Sequence, residues 1–366
     1  MPQSPPVVAS SKGSGPGRRP TISDVAALAG TSKGTVSFVL NDRPGVAAKT
    51  RVRVLAAMAE LGWQPSMLAR SLSISRANAI GLVLARTPDT LRSDPFFAPF
   101  IAGVELGIAG TDAAVLLRFV ESVEAEEAVY RNLATARRVD GVIVADLRCN
   151  DSRIPLLAEL GLPAVTLNKP DVPSPFIAVC NDDLAGVVAG VEHLIGLGHR
   201  RIAHVGGPSI YLHADQRKQS WETALRDHGL EPNLFAEADF TAAGGAEATR
   251  SMLERPADER PTAIVYANDS MAVAGMVVAQ ALGLSLPRDL SVIGFDDSEL
   301  AAYVHPALTT IRTDPVAWGR LTARTLLDLV HDGQRVETAT VGPAELVVRG
   351  STTVAPTTAA PTTVAP

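Results

Sequence analysis

Three apolar runs of the chain end in polar side chains that could hold a small ligand. Asp146 follows GVIVA, Asn268 and Asp269 follow AIVYA, and Asp296 follows SVIGF. If these runs are parallel strands, the polar residues lie at their carboxyl ends, where open α/β sheets bind ligands. Carboxylates and amides can hydrogen-bond the vicinal hydroxyl groups of such a ligand. Asp269 stands directly before SMAVAGM, so we interpret it as a helix cap and not as a ligand contact.

The spacings of several common catalytic and metal sites are missing from the sequence. It contains no G-x-x-x-x-G-K-[ST], no G-x-G-x-x-G after a strand and no H-E-x-x-H. The seven histidines are scattered, and the two cysteines, Cys149 and Cys180, suggest buried thiols of a reducing compartment. Asp296 and Asp297 are adjacent, but neighbours at the end of a strand point apart. We therefore expect no enzyme, no metal and no cofactor; an enzyme is the alternative, which a turnover assay would reveal.

The elements that would position these residues alternate between short apolar runs and helix-length segments. Amphipathic segments such as Leu184–Leu197 and Ser270–Leu282 separate the runs, a pattern typical of parallel sheets with helices on both faces. The predicted strands are Ile80–Leu84, Ala114–Leu117, Val142–Ala145, Ala164–Leu167, Ile177–Val179, Ile202–Val205, Ala263–Tyr266 and Ser291–Phe295. The 366 residues indicate two or three domains. The sequence has no apolar run of about 18 residues and no signal-peptide core at its start, so we expect a cytoplasmic protein without membrane contact.

The front of the chain carries a pattern of short helices. In TISDVAALAGTSKGTVSFVLND, Thr21 with Asp24 is typical of a helix start, Gly30 of a helix end and Ser32 of a second start. Two short helices joined by a tight glycine-containing turn form a helix-turn-helix. A third helix fits residues 48–61. Its predicted inward side chains are Val52, Leu55, Ala56, Ala59 and Leu61.

Charge divides the chain into a basic head and an acidic body. Residues 1–76 contain ten Lys or Arg and three acidic residues, a net charge of +7. The whole chain carries −6, so the remainder carries −13. A basic helix-turn-helix indicates double-stranded DNA as partner, with the second helix in the major groove. A merely solvated basic tail is the alternative.

Residues 20–352 resemble the LacI/GalR family of bacterial transcriptional regulators. The matching runs are TISDVAALAGTSKGTVSFVLN, KTRVRVLAAMAELGWQPSMLARSL, AIGLVL, DPFFAPFIAGVE, DGVIVA, HLIGLGHRRIAHVGGP, PTAIVYANDSMAVAGM, LSVIGFDDSELAAYVHPALTTIRTD and ELVVRGST. The resemblance implies an all-α helix-turn-helix head at 20–64, a hinge at 65–77 and an α/β body at 78–350. The body would be periplasmic-binding-protein-like, with two Rossmann-like subdomains.

The same resemblance sets the subdomain boundaries. The N-subdomain would span about 78–177 and 314–341, and the C-subdomain about 178–311 and 343–350. The chain would cross between them near 176–179, 311–314 and 341–343. Composition predicts that the two ends, residues 1–19 and the APTT-like repeats of residues 351–366, are disordered.

In the head, the resemblance implies base contacts from Lys33, Gly34 and Phe38. It implies phosphate contacts from Thr21, Ser32, Thr35, Ser37, Asn41 and Thr50. The family usually has Arg where Phe38 stands; Arg can bond guanine bidentately, whereas Phe offers apolar contact to a thymine methyl. We expect an altered operator preference there, the alternative being that Phe38 only packs on the head. Ala47 replaces a common capping Ser, which costs on the order of 1 kcal/mol.

The hinge match, PSMLARSLSISR at residues 65–76, is too short to be a stable helix alone. The resemblance implies that it becomes helical when two subunits meet over the operator's minor groove. Ala69 and Leu72 would then contact DNA, with Leu72 wedged into the central base step, which kinks the duplex. The alternative is a plain linker.

In the body, the resemblance places effector contacts at Phe96, Phe97, Asp146, His213, Arg217, Asn268 and Asp296. Such a set suits a carbohydrate better than a purine, because aromatic rings can cover an apolar sugar face. As alternatives, Asp296 and Arg217 form a structural ion pair, and Phe97 belongs to the core. Trp221 is expected in the pocket wall or the core.

The resulting hypothesis is a homodimeric repressor of a near-palindromic operator, controlled by a small-molecule effector that we expect to be a sugar or sugar derivative. The effector would act through its differential affinity for two conformations. A sugar-responsive activator, a corepressor-dependent repressor and a secreted solute-binding protein are the alternatives.

Overall fold

The computed structural model describes residues 20–40, 43–64, 76–87, 94–333 and 338–356. The chain forms two compact units, a head that ends at Ser75 and a body that begins at Arg76. In this part of the chain, no helix has the length and apolar character needed to cross a membrane.

The head contains the three predicted helices: α1 (Ile22–Leu28), α2 (Lys33–Leu40) and α3 (Ala48–Glu60). The Asp24 carboxylate accepts hydrogen bonds from the Thr21 amide and hydroxyl, both at 2.7 Å, and so begins α1. Ser32 Oγ accepts from the Thr35 amide at 3.1 Å, the predicted cap of α2. Gly30 adopts a φ of 60° between them, a conformation that favours glycine. The helix-turn-helix prediction is confirmed.

The inward face predicted for α3 is wrong, apart from Leu61, which packs against the core of the head just beyond the end of the helix. Val54 and Ala57 are the buried residues of this helix, while Val52 and Leu55 are 66% and 51% exposed. Both stripes have helical spacing, so the sequence of α3 alone does not choose between them. The choice depends on α1 and α2, whose apolar side chains form one core with Val54 and Ala57.

The first subdomain of the body is a parallel sheet with helices on both faces. Its strands are β1 (Ala79–Ala85), β2 (Ala114–Val120), β3 (Gly141–Val144), β4 (Ala164–Leu167), β5 (Ile177–Cys180) and β11 (Thr338–Thr340). They lie in the order β11-β5-β4-β3-β1-β2. Its helices are α4 (Phe97–Ile108), α5 (Val123–Thr135), α6 (Arg153–Glu159) and α11 (Pro315–Asp332). Helices α4 and α11 pack so closely that a Cβ at Gly103 or Gly319 would collide with the facing backbone. Glycine at these two positions therefore permits the close approach.

The second subdomain repeats this architecture. Its strands are β6 (Ile202–Gly206), β7 (Phe235–Glu237), β8 (Ala263–Tyr266), β9 (Ser291–Asp296), β10 (Thr309–Arg312) and β12 (Glu345–Val347). They lie in the order β12-β10-β9-β8-β6-β7, and β12 runs antiparallel to β10. Its helices are α7 (Leu184–Gly196), α8 (Leu212–Asp227), α9 (Ala242–Leu253) and α10 (Asp269–Ala281). The predicted fold class, two Rossmann-like subdomains behind a helical head, is confirmed.

The chain passes between the sheets three times, and one of the predicted passages is misplaced. The first passage was expected near residues 176–179, but residues 177–180 form β5, which pairs with β4 and β11 in the first sheet. The first passage therefore follows Cys180. The other two lie between β10 and α11 and between β11 and β12, as predicted. The two cysteines are free and partly exposed, not fully buried.

The residues directly after β12 correct another expectation. Residues 351–356, expected to belong to a disordered tail, pack against the second subdomain, and Ser351 is only 1% exposed. Ser351 Oγ donates to the Val292 carbonyl at 2.6 Å and accepts from the Thr309 amide at 2.8 Å. The Thr353 carbonyl lies 3.0 Å from Nε2 of the buried His199. These buried hydrogen bonds hold the segment although its sequence is repetitive.

Candidate effector cleft and DNA-binding head

A cleft lies between the two subdomains of the body. Six of the seven predicted effector contacts line it: Phe96, Asp146, His213, Arg217, Asn268 and Asp296. The other lining residues are Arg86, Asp94, Leu147, Leu167, Asn168, Asp183, Leu212, Gln216, Phe240, Ala267 and Trp318. Several follow the last residue of a strand directly, as the rule for open α/β sheets predicts.

Phe97 is the predicted contact that does not line the cleft. Its side chain is only 4% exposed and belongs to the apolar core that α4 and α11 form over the first sheet. Phe96 reaches the cleft and packs edge-on against Phe97, with ring centroids 5.3 Å apart. Trp221 is buried in the core of the second subdomain and does not reach the wall of the cleft.

Asp146 is paired with a guanidinium that the sequence prediction missed. Arg86 Nε donates to Asp146 Oδ2 at 2.7 Å, and both side chains are largely buried. Burial alone would raise the pKa of Asp146, but Arg86 outweighs it and holds that pKa below its usual value. The Arg86 guanidinium also lies over the Tyr211 and Phe240 rings, 4.2 and 5.1 Å from their centroids. Asp146 is thus a fixed, ionised acceptor.

Arg217 forms the second ion pair of the cleft. Its Nη2 and Nε donate to Asp183 Oδ2 at 2.6 and 2.9 Å. The guanidinium carbon lies 3.7 Å from the centroid of Phe295, which holds the plane of the group in place. Among the described residues, the ion-pair partner of Arg217 is Asp183 and not Asp296. The ion pair weighed for Arg217 and Asp296 is therefore not formed.

Asp296 ends β9 with a φ of 102°. Burial raises the pKa of this carboxyl well above its usual value, and the nearby Asp94 and Asp269 raise it further. Burial likewise raises the pKa of Asp94. Asp146, Asn168 and Phe240 also line the cleft with positive φ. Such conformations are costly for residues other than glycine and cluster at functional sites.

Asn268, and not the predicted Asp269, is the residue that caps a helix. Asn268 Oδ1 accepts from the Met271 amide at 2.8 Å, so Asn268 is the cap of α10. Its Nδ2 donates to the Phe240 carbonyl at 2.9 Å. Asp269 is not the cap; it accepts from the Thr310 hydroxyl and the Ser298 amide, both at 2.6 Å, behind the cleft wall. Asn268 therefore shapes the cleft and retains limited hydrogen-bonding capacity for a ligand.

An aromatic surface runs along one side of the cleft. The His213 ring stacks between Tyr211 and Phe240, with centroid distances of 5.8 and 5.6 Å. Burial, helped by the positive charge of Arg217, lowers the pKa of His213 to about 3. His213 is therefore neutral at physiological pH. With Phe96 and Trp318, these rings offer apolar faces beside the charged groups.

Several cleft residues were missed by the sequence prediction. Arg86, Asn168 and Asp183 follow the ends of β1, β4 and β5, so the same strand-end rule could have found them. Trp318 comes from α11, and Phe240 comes from the loop after β7, a three-residue strand that the sequence prediction missed. No local pattern singles these two out.

The head presents its predicted base contacts on one exposed surface of α2. Lys33, Gly34 and Phe38 are exposed, whereas Val36 and Val39 are buried against α1 and α3. Thr21, Thr35 and Thr50 are partly exposed at or near helix starts, Ser37 is partly exposed in the middle of α2, and Ser32 is exposed. The predicted contacts Asn41, Ala69 and Leu72 lie outside the described residues.

The comparisons with known proteins agree with this architecture. Residues 21–66 match the bacterial regulatory proteins of the lacI family, and residues 191–352 match the periplasmic binding protein-like domain. The chain is 34% identical over 335 residues to the HTH-type transcriptional regulator CelR of Thermobifida fusca; the match covers 90% of this chain and 96% of the relative. This chain belongs to the lacI family. Like its relatives, this lacI-family member is a DNA-binding transcriptional regulator.

Two solved structures of lacI-family proteins resemble the whole chain. The complex of the transcriptional regulator CelR with cellobiose has a TM-score of 0.70 and 33% identity, and the match covers 91% of this chain and 100% of that one. The lac repressor dimer bound to operator and the anti-inducer ONPF has a TM-score of 0.79 and 33% identity. That match covers 92% of this chain and 100% of the other. The resemblance thus extends over both the head and the body.

Proposed function

We propose that this lacI-family regulator is a homodimeric repressor that releases a near-palindromic operator when an uncharged sugar occupies the cleft. The observation that carries the proposal is the arrangement of two Asp–Arg pairs beside aromatic faces in one cleft. Asp146 and Arg217 can accept from and donate to adjacent sugar hydroxyls, and the rings of Phe96 and Trp318 suit the apolar face of a pyranose. A solved complex of a relative with cellobiose supports a carbohydrate effector.

The charges of the cleft support an uncharged ligand over a phosphorylated one. The described lining contains two guanidinium groups, and each is already paired with a carboxylate. Asp94 and Asp296 add two further acids, so the cleft has no excess positive charge to offer a phosphate. An anionic sugar would find no unpaired positive charge among the described lining residues, whereas a neutral polyol can donate hydroxyl hydrogens to the carboxylates.

Dimerisation and the sign of regulation complete the proposal. Two helix-turn-helix heads would bind two half-sites, which is why the operator is expected to be near-palindromic. The sugar would bind the released conformation more tightly, because a ligand shifts an equilibrium only by its differential affinity. Such a regulator acts in the cytoplasm, on the chromosome, and without chemical turnover of its effector.

The experiment begins by selecting genomic fragments with the purified protein at physiological salt, because DNA affinity depends on ionic strength. The selected operator is then titrated with neutral mono- and disaccharides, including cellobiose, and with their phosphates. We expect one neutral sugar to release the operator from the wild type. Arg217→Ala and Asp296→Ala should retain operator binding but lose the response.

Arg226→Ala is the matched control, since Arg226 lies on the same helix α8 with an exposed side chain. This variant should respond like the wild type. Release by a phosphorylated sugar alone would contradict the uncharged effector. Tighter operator binding with sugar would show a corepressor instead of an inducer.

A further inference from the structure

The exposed surface of α2 carries one large aromatic side chain, that of Phe38. Phe38 is 42% exposed, whereas large apolar side chains of a small helical domain are normally inside. Gly34, one turn earlier on the same face, contributes no side chain that could cover the ring. The ring therefore lies on the exposed surface of α2, the helix that a helix-turn-helix places in the major groove.

The side chain of Arg43 lies over the Phe38 ring. Its guanidinium carbon lies 5.7 Å from the Phe38 centroid, within the distance typical of a cation–π contact. The Arg43 amide donates to the Phe38 carbonyl at 3.0 Å, which fixes the start of the Arg43 side chain just beyond the end of α2. Arg43 is itself exposed. Backbone and side chain thus both tie Arg43 to Phe38.

The geometry leaves the chemically useful part of the guanidinium available. A guanidinium that covers a ring uses its flat face, while its five N–H groups point outward in its plane. Two parallel N–H groups match O6 and N7 of guanine in the major groove. The phenyl ring cannot donate, but it can hold the donor in place.

We propose that Arg43, supported by the Phe38 ring, reads a guanine in each half-site of the operator. Phe38 then acts as a positioning residue and Arg43 as the specificity-determining one. This inference rests on operator binding by the α2 surface. It assigns the base contact to a residue outside the recognition helix, and it gives the exposed phenylalanine a role.

The test uses the full-length protein and the operator that it selects. Binding is measured to this operator and to its symmetric single-base variants at one fixed salt concentration. We expect the wild type to prefer guanine at one symmetric pair of positions by roughly 5- to 150-fold. Arg43→Ala should lose this preference while other positions keep theirs. Phe38→Leu, which retains apolar bulk but lacks the ring, should reduce it by about two- to fivefold.

Arg53→Ala is the matched control, because it also removes one exposed positive charge from the head. It should weaken binding to all operator variants to a similar degree and leave the guanine preference intact. If Arg43→Ala behaves like Arg53→Ala, Arg43 contacts a phosphate and the proposal is wrong. An unchanged operator profile in Arg43→Ala would also refute it. Failure of the wild type to select any palindrome would instead count against the proposed function.

Discussion

Asp296 and Asp297 are adjacent in sequence, yet their carboxylates lie in opposite electrostatic environments. Asp296 faces the cleft, where burial and the neighbouring acids raise its pKa. Asp297 points away from the cleft and accepts from Arg312 Nε at 2.6 Å and from Arg349. Burial opposes ionisation of Asp297, but these two hydrogen bonds outweigh it and lower the pKa. The end of β9 thus carries two acids with opposite effects on the fold. Asp296 faces the ligand cleft and destabilises the fold when it ionises, whereas ionised Asp297 stabilises the fold.

This contrast predicts opposite pH dependence for two neighbouring variants. Because the folded pKa of Asp296 is raised, the wild type loses stability as pH rises above about 3.9, the unfolded value, and through the folded pKa. Asp296→Asn does not titrate, so we expect it to be more stable than the wild type at pH 8 by roughly 0.5–2 kcal/mol. The difference should fade towards pH 3.5. Urea unfolding at several pH values measures it.

Asp297→Asn serves as the comparison. Its folded pKa is lowered, so its stabilising effect is present above the unfolded pKa and lost as pH falls through the folded pKa. The variant should therefore be less stable than the wild type at pH 8, with the gap closing in acid. The same sign for both variants would show that Asp296 is not a strained acid of the cleft.

The Arg217–Asp183 pair predicts a strong, local stability effect. Asp183→Ala leaves a largely buried guanidinium without its partner and should lower the free energy of unfolding by about 3 kcal/mol. Removing both charges in Arg217→Ala/Asp183→Ala should cost less than the sum of the single changes. Asp289→Ala, which removes the exposed pair with Arg288 and the acceptor of the Ser285 amide, should cost only about 1 kcal/mol. Equal losses in Asp183→Ala and Asp289→Ala would mean that the cleft pair is solvated.

Much of the body was predictable because its central strands are continuous apolar runs. All eight predicted strands exist; two have the predicted bounds, and the ends of the other six differ by at most three residues. The missed strands β7, β10, β11 and β12 contain only three or four residues; three of them are edge strands, and β10 lies next to an edge. Pairing with a neighbouring strand creates such elements, and the neighbour is distant in sequence.

From the residue pattern alone, the residues of the cleft were predictable only where they stand at the end of an apolar strand. Asp146 and Asp296 follow long apolar runs, whereas Phe240 reaches the cleft from a loop with a φ of 67°. Asp296 was considered as the ion-pair partner of Arg217 because the family resemblance places both residues at the effector site. The structure gives Arg217 a different partner, Asp183. Asp183 stands 34 residues before Arg217, at the start of α7, whereas Arg217 lies on α8. A pairing of this kind depends on how these two helices pack within the second subdomain.

The hinge predicts a variant that affects DNA but not the effector. Leu72 lies outside the described residues, and its role remains a prediction from the family resemblance. Leu72→Ala would remove the apolar wedge that unstacks the central base step. We expect operator affinity to fall at least tenfold, with sugar affinity unchanged, in parallel titrations of both ligands. Unaltered operator affinity would exclude the wedge.

The start of α3 predicts a stabilising substitution. Ala47 has the extended ψ of 140° suited to a cap, but it has no side-chain cap hydrogen bond. Ala47→Ser should supply an acceptor to the first turn and stabilise α3 by about 1 kcal/mol. Slower hydrogen exchange of the amides in Ala48–Glu60 would report this gain. Ala56→Ser, at an exposed position within the helix, should give no such protection.

The hydrogen bonds of residues 351–356, which follow β12, predict that this segment contributes to the stability of the second subdomain. Ser351→Ala removes the acceptor of the Thr309 amide and the donor to the Val292 carbonyl, and all three groups are buried. An unsatisfied buried group costs about 1–3 kcal/mol, so we expect a loss of that size in urea unfolding. Ser152→Ala removes a hydroxyl from an exposed position and should change stability by less than about 0.5 kcal/mol. If the two variants unfold alike, residues 351–356 do not contribute to the stability of the second subdomain.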